Sequence, residues 1–400
     1  MPISLDSLPI SKGARKAFFY ILHNQPATRA GICTALGVGA VSAGKYVQEL
    51  LSTGMIKEEG YSESSGGRKP LIYAVNDTNH YILCINISTI YCEVAVSDFN
   101  LKLHGLRHFS IKEDDRPEAI VAKIWAVYNN IKEEKGLSDS SFIGAGVILF
   151  GTVKDSSGIM YRPIVQYMND HWIDYPILDK LRNALPLQIF YEKGITALAS
   201  LEYNYGVGKS CKSMIYVLCA MNIRSAYVLN GEVQGKTPFY EDAFGHMVVN
   251  YDGPHCKCGQ YGCLNCYATI PAIIDEYKKR VKRGAPSSIS GELDEVTIEA
   301  ICKAAEDGEE CARSVILDRA RMLGIALANY IRVTFPDLVL LSGLLVELSP
   351  LYFDTAVAVA KDHLAKIDHA NVGFSRIGSF SSPLTTSCAS LVLESVFGDN

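Results

Sequence analysis

The chain opens with three amphipathic stretches in quick succession. In ARKAFFYILHNQ, Ala17, Phe18, Ile21 and Leu22 fall on one face of a 3.6-residue period. After Pro26, TRAGICTALG predicts a short helix that Thr28 caps, that presents Ile32, Ala35 and Leu36, and that stops at Gly37. GAVSAGKYVQELLSTG repeats the helical period with Ala43, Val47, Leu50 and Leu51 and closes at Gly54. The period then changes. MIKEEGYSESSGGRKPLIYAVN reads as strand, polar Gly/Ser-rich turn and strand, a hairpin with a basic tip.

Three helices followed by a hairpin is the winged helix-turn-helix plan, whose third helix enters the major groove while the wing reaches phosphate or the minor groove. On that plan the face of the third helix opposite the core carries Ala40, Ser42, Lys45 and Gln48. Arg68 and Lys69 stand at the wing tip, where flanking glycines let the backbone approach DNA. Thr28 and Arg29 begin the second helix, where free N–H groups and the positive dipole end favour a phosphate. The blander reading is a small helical domain that binds protein and carries a solvated hairpin.

Beyond Asn76 strands and helices alternate. HYILCINISTIYCEVAVSDFNLKLHGLRHFSI predicts two or three strands, EAIVAKIWAVYNNIKEEKG an amphipathic helix, and GAGVILFG a buried strand. QIFYEK leads into ITALASLEYNYG, MIYVLCA precedes AYVLNGEVQG, and ARSVILDRARMLGIALANYIRVTF runs into DLVLLSG. The alternation implies an α/β body of two lobes with a cleft between them.

Four hundred residues favour two or three domains, and 48% apolar with 20% charged residues excludes wholesale disorder. There is no apolar run long enough for a membrane helix, and the start lacks a basic region followed by a long apolar one. A cytoplasmic location is expected. The net charge of −5 is uneven, since residues 1–76 hold eight Lys and Arg against five Asp and Glu. A basic head on an acidic body fits a nucleic-acid-binding module joined to a domain that does not bind it.

In a reducing compartment the twelve cysteines are not a disulfide framework. Eight lie scattered among apolar neighbours and read as small buried hydrophobes. Cys256, Cys258, Cys263 and Cys266 differ: with His246 and His255 nearby, in GHMVVNYDGPHCKCGQYGCLNC, they have metal-ligand spacing.

The order of elements, the wing ending SGGRKP and the motif GH…CxCGxxGC resemble the ROK family of sugar kinases and sugar-responsive repressors over nearly the whole chain. The resemblance implies a two-lobed, actin-like ATPase body with ribonuclease-H-like halves, preceded by the winged helix. Its domains would be 1–76, a first lobe at 77–195 completed by a terminal helix at 385–400, and a second lobe at 196–384 bearing the metal loop and an oligomerisation surface. It also implies one zinc on His246, Cys256, Cys258 and Cys263, with His255 and Cys266 as alternative ligands. Three thiolates and an imidazole fill a tetrahedron, so that zinc is structural.

The kinase parts of the family pattern are altered here. The first phosphate loop reads CINISTIY, with Asn86 for an acid and Ser88-Thr89 for two glycines. In the second, Ala220, Asn222, Arg224 and Ala226 occupy glycine sites, and the later two-glycine turn keeps only Gly343. Lys193-Gly194 replaces the Asn-Asp pair that supplies the base, and Ala243 and Asn265 replace two sugar-holding glutamates. The expectation is therefore a protein without catalytic residues. It would be a DNA-binding regulator, a repressor of carbohydrate metabolism or transport genes, acting on double-stranded palindromic operator DNA as a homodimer or homotetramer. Its body would sense a sugar or sugar derivative through Asn169, Asp170, Lys193, His246 and Asn265. The alternatives are a ROK-type sugar kinase with atypical ATP loops, or a ligand-independent DNA-binding oligomer.

Overall fold

The structure, a computed structural model, describes residues 10–62, 69–88, 90–149, 157–159, 170–235, 240–365 and 371–398. The chain divides into two compact units, Met1–Ala197 with Ser381–Asn400, and Leu198–Phe380.

The first unit begins with helices α1 (Lys12–His23), α2 (Arg29–Leu36) and α3 (Ala40–Ser52). Their starts are set by short polar side chains. Ser11 Oγ accepts the Ala14 N–H at 3.2 Å, and Thr28 Oγ1 accepts that of Gly31 at 3.1 Å, as the sequence predicts for Thr28. Gly37 ends α2 in the left-handed conformation, with φ 64°. Ala14, Ala17, Phe18, Ile21, Leu22, Ile32, Ala43, Val47 and Leu50 form the buried seam of the three helices, while Ala35, expected inward, is exposed. Glu49 of α3 accepts from the backbone N–H of Ser11 and from its hydroxyl, the latter at 2.8 Å, which ties α3 to the start of α1. Strands β1 (Ala27–Thr28), β2 (Ile56–Tyr61) and β3 (Leu71–Val75) form a small antiparallel sheet in the order β1-β3-β2. The predicted hairpin is thus present, but most of its tip, Arg68 included, lies outside the described residues.

The same unit continues with β4 (Tyr81–Ile87), β5 (Tyr91–Ser97), β6 (Leu103–Ser110), α4 (Pro117–Lys135), β7 (Phe142–Leu149), α5 (Ile177–Ala184), β8 (Ile189–Lys193) and α6 (Gly194–Tyr205), whose later turns pass into the second unit. The sheet order is β6-β5-β4-β7-β8, antiparallel through β6, β5 and β4 and parallel from β4 to β7 and β8. Every residue of β7 is buried, which explains its unbroken apolar sequence. The terminal helix, named α14 below (Pro383–Phe397), lies on β4 and β7. It comes so close that a Cβ on Gly146 would stand 2.0 Å from the Cys388 carbonyl oxygen.

The second unit holds β9 (Ser213–Cys219), β10 (Ile223–Leu229), β11 (Glu232–Val233), α7 (Tyr240–Ala243), α8 (Asn265–Ala268), α9 (Ile270–Lys282), α10 (Ile298–Glu306), α11 (Glu310–Thr334), β12 (Leu338–Ser342), α12 (Leu344–Leu348), α13 (Pro350–Ala365) and β13 (Gly373–Arg376). Its sheet order is β11-β10-β9-β12-β13, antiparallel for the first three strands and parallel for the rest. The two units therefore repeat one strand plan, although no short-period repeat is visible in the sequence. The core of the second centres on α11, with Ile316, Leu323 and Leu327 buried beside Tyr277 and Tyr352. Among the described residues no single helix is long and apolar enough to cross a membrane.

Candidate nucleic-acid interface and metal centre

Helices α2 and α3 are joined by Gly37, Val38 and Gly39 and meet at 115°. That turn length and angle turn one helix outward while its neighbour packs across it. With Ala43, Val47 and Leu50 buried, the opposite side of α3 presents Lys45 and Gln48 to solvent. Ala40 and Ser42, expected on this face, stand on its two flanks, and Ser42 is half-buried. The outward stripe holds Lys45 and Gln48 together with Val41 and the half-buried Gly44. Val41 is 76% exposed. The Arg29 guanidinium lies over Gly44, where an added Cβ would be 3.7 Å from Nη1, and so joins the stripe from α2. Thr28 is spent partly as the α2 cap, and Lys69 is exposed at the foot of β3.

The loop after α7 gathers His246, Cys256, Cys258 and Cys263, with their ligand atoms all within 4.8 Å of one another. His246 Nδ1 is 3.5 Å from the Cys256 sulfur, and the sulfurs of Cys258 and Cys263 are 3.6 Å apart. Three thiolates and an imidazole about one metal give tetrahedral edges of roughly 3.5 to 3.8 Å, so the set fits such an ion. The backbone builds this arrangement. Cys256 N–H donates to the Gln260 carbonyl at 2.7 Å, Gly259 N–H to that of Cys256 at 2.9 Å, and Gly262 N–H to that of Pro254 at 2.9 Å. Gly262 has φ 69°, and a Cβ there would stand 1.6 Å from the Asn250 carbonyl oxygen, so no other residue closes the turn without moving it. Burial and the neighbouring Cys258 and Cys256 thiols push Cys263 up to about 12. Cys256 moves down: burial opposes the thiolate, but hydrogen bonds from the Cys258 backbone and the surrounding thiols outweigh it. A metal must therefore displace protons from this cluster. His255 is exposed, its ring edge-on to Tyr261, and the Cys266 sulfur points to the His255 carbonyl at 3.9 Å; neither belongs to the set of four.

The residues expected to hold a small ligand are divided between the units. Lys193 closes β8 half-buried, and its backbone N–H donates to the neighbouring Glu192 carboxylate at 2.8 Å. Asp170, itself exposed, opens a single turn that buries Trp172, and Asn169 lies outside the described residues. In the second unit, His246 Nδ1 faces the thiols. Asn265 uses its side-chain oxygen to accept the Ile223 N–H at 2.8 Å, while its backbone N–H donates to the Gly245 carbonyl at 2.8 Å. Asn265 thus acts as a tie between the metal loop and β10, a role that replaces part of the ligand contact expected of it.

That tie bears on phosphate binding. The turn between β9 and β10 stands where the sequence places a phosphate loop, and two of its amides are bonded within the protein. Ala220 N–H donates to the Asn222 carbonyl at 3.4 Å and Ile223 N–H to Asn265. Arg224 is paired with Asp242 at 2.8 Å. In the first unit, Asn86 is fully buried and offers an amide 3.4 Å from Glu93, whose carboxylate also accepts from Thr385 at 2.5 Å.

A model of the ROK family matches residues 82–377. The xylose repressor of Caldicellulosiruptor bescii is 24% identical over 326 residues, covering 81% of this chain and 80% of that protein. The DNA-binding transcriptional dual regulator NagC of Escherichia coli is 26% identical over 347 residues, covering 86% and 83%. Among solved structures, a ROK family transcriptional regulator described as a homologue of the E. coli MLC protein has a TM-score of 0.80 at 23% identity, over 97% of both chains. A ROK hexokinase from Thermus thermophilus has a TM-score of 0.64 at 20% identity, over 78% of this chain and 97% of that one. The fold is shared with regulator and kinase alike, and the regulator matches the head as well.

Proposed function

The chain belongs to the ROK family, and from that premise we propose that it is a DNA-binding transcriptional repressor of carbohydrate metabolism or transport genes, whose kinase-like body senses rather than phosphorylates. The observation that carries this reading is the outward stripe of α3. It sets Lys45 and Gln48 beside Arg29 on a helix held at 115° to its predecessor. The head is a winged helix-turn-helix with α3 in the major groove. Lys45, Gln48 and Arg29 address base edges and phosphate, Thr28 and Ser42 flank them, and Arg68 and Lys69 follow the backbone from the wing. The body, in a dimer or tetramer, presents two heads to a palindromic operator with half-sites about 34 Å or a multiple apart.

The effector is a sugar or sugar derivative, a class suggested by relatives named for xylose and N-acetylglucosamine. Asn169, Asp170, Lys193, His246 and Asn265 are its contacts. Zinc fills the His246, Cys256, Cys258 and Cys263 set as a structural ion, since four protein ligands leave no position for an activated water. The protein works in the cytoplasm, where these thiols stay reduced.

The test is fluorescence anisotropy of the full chain with DNA from upstream of its own gene. Binding should fall with salt along a log–log slope of about −0.9 for each phosphate contact. A flat salt response, or equal affinity for operator and scrambled duplex, would sink the reading.

A further inference from the structure

The outward stripe of α3 contains an apolar side chain that phosphate binding does not explain. Val41 lies in the first turn of α3, 76% exposed, one helical turn before Lys45 and two before Gln48. Its flank neighbour Gly44 has no side chain, and the space above it is taken by the Arg29 guanidinium. Gly44 thus leaves room for Arg29, and Val41 remains the one apolar side chain of the stripe, with Arg29, Lys45 and Gln48 around it. The first-turn residues of a groove-bound helix are those that reach base edges. Among base edges in the major groove, the apolar group is the 5-methyl of thymine, while guanine and adenine offer what Lys, Arg and Gln can bind.

We propose that Val41 reads a thymine methyl in each operator half-site and is a specificity-determining residue of the head. The inference rests on the DNA-binding reading above and deepens it. Val41 supplies sequence discrimination without charge, whereas Lys45 and Arg29 supply both affinity and salt dependence. Losing one buried methyl contact weakens binding about fourfold per half-site.

The experiment starts with selection of bound duplexes from a random library by the full-length chain. Each thymidine of the enriched site is then replaced in turn by deoxyuridine, which removes only the methyl. Wild type should lose about fourfold in affinity at one position per half-site. V41S should bind the thymidine and deoxyuridine duplexes equally at that position, with its salt slope and melting temperature unchanged, because the side chain is outside the core. K45A is the contrast: it should lower the salt slope and keep the methyl preference. A wild-type preference for thymidine that V41S retains would overturn the proposal, as would the lack of any methyl-sensitive position. Failure to enrich any sequence would overturn the DNA-binding reading itself, which separates the two failures.

Discussion

Two side chains of the second unit, the buried Cys263 and the half-buried Asn265, carry single-residue predictions. Cys263 is fully buried, and burial together with the adjacent Cys258 and Cys256 thiols pushes its thiol up to about 12. Metal binding must release protons, so the ion should leave as pH falls from 7.5 toward 5 and return on neutralisation. C263S should reduce the zinc content from one per chain to none by elemental analysis. The second unit should then melt about 5 to 10 °C lower, whereas C266S should keep its metal. An unchanged melt on stripping zinc would remove the ion from the folding argument. Asn265 gives a second measurement. Truncation to alanine strands the Ile223 N–H, at a cost of about 1 to 3 kcal/mol by denaturant titration. The metal set was legible because thiol spacing is local, yet only the resemblance to the family separated His246 from His255. The tie made by Asn265 was not legible, since its partner is far away in sequence. Val41 is not legible as a surface residue, because an apolar side chain carries no polar signal for the outward face of α3.

Elements were read well where the signal is periodic. All three head helices, the Thr28 cap and the strand-helix alternation follow from local spacing, and the unbroken apolar run of β7 follows from burial on both faces. What the sequence could not supply is pairing, because strand order depends on contacts far apart along the chain. The docking of the head is of that kind. The fully buried ring of Phe18 of α1 also meets two partners beyond the three helices, Phe397 of α14 with ring centroids at 4.4 Å and Phe99 at 5.3 Å. Gln25 adds a hydrogen bond to Asn100 at 3.1 Å, and His80 pairs with the Thr53 carbonyl at 2.9 Å. Removing a ring from such a cluster costs about 3 to 5 kcal/mol. F397A should therefore leave α14 and the small sheet folded by circular dichroism but expose the segment around Asn76 to protease. Operator affinity should fall as the head loses its fixed seat. A variant as resistant to protease as wild type would show that the head is held by other contacts.

For the whole molecule the decisive question is whether the phosphotransfer machinery is recoverable by restoring its acid. Gly194 begins α6, where the family pattern puts an aspartate, so G194D returns a carboxylate to the chain. A base alone accelerates nothing unless the nucleotide phosphates are also held in line, and positioning supplies most of the catalysis in phosphoryl transfer. Several groups in the two turns are already bonded within the chain. The amides of Ala220 and Ile223 are bonded to Asn222 and Asn265, the Arg224 guanidinium to Asp242, and Asn86 is buried against Glu93. These bonds are scattered over both units, and each would have to be broken before a phosphate oxygen could take its place. Neither wild type nor G194D should release ADP from ATP with glucose, xylose or N-acetylglucosamine in a coupled assay, and ATP should not raise the melting temperature of either. Turnover in G194D would mean that only one residue separates the chain from a kinase, and the occupied amides would then have to be read as bonds that yield to substrate. A sugar that raises the melting temperature without turnover, and shifts operator affinity in the same preparation, is the outcome expected of a scaffold that kept its ligand and lost its chemistry.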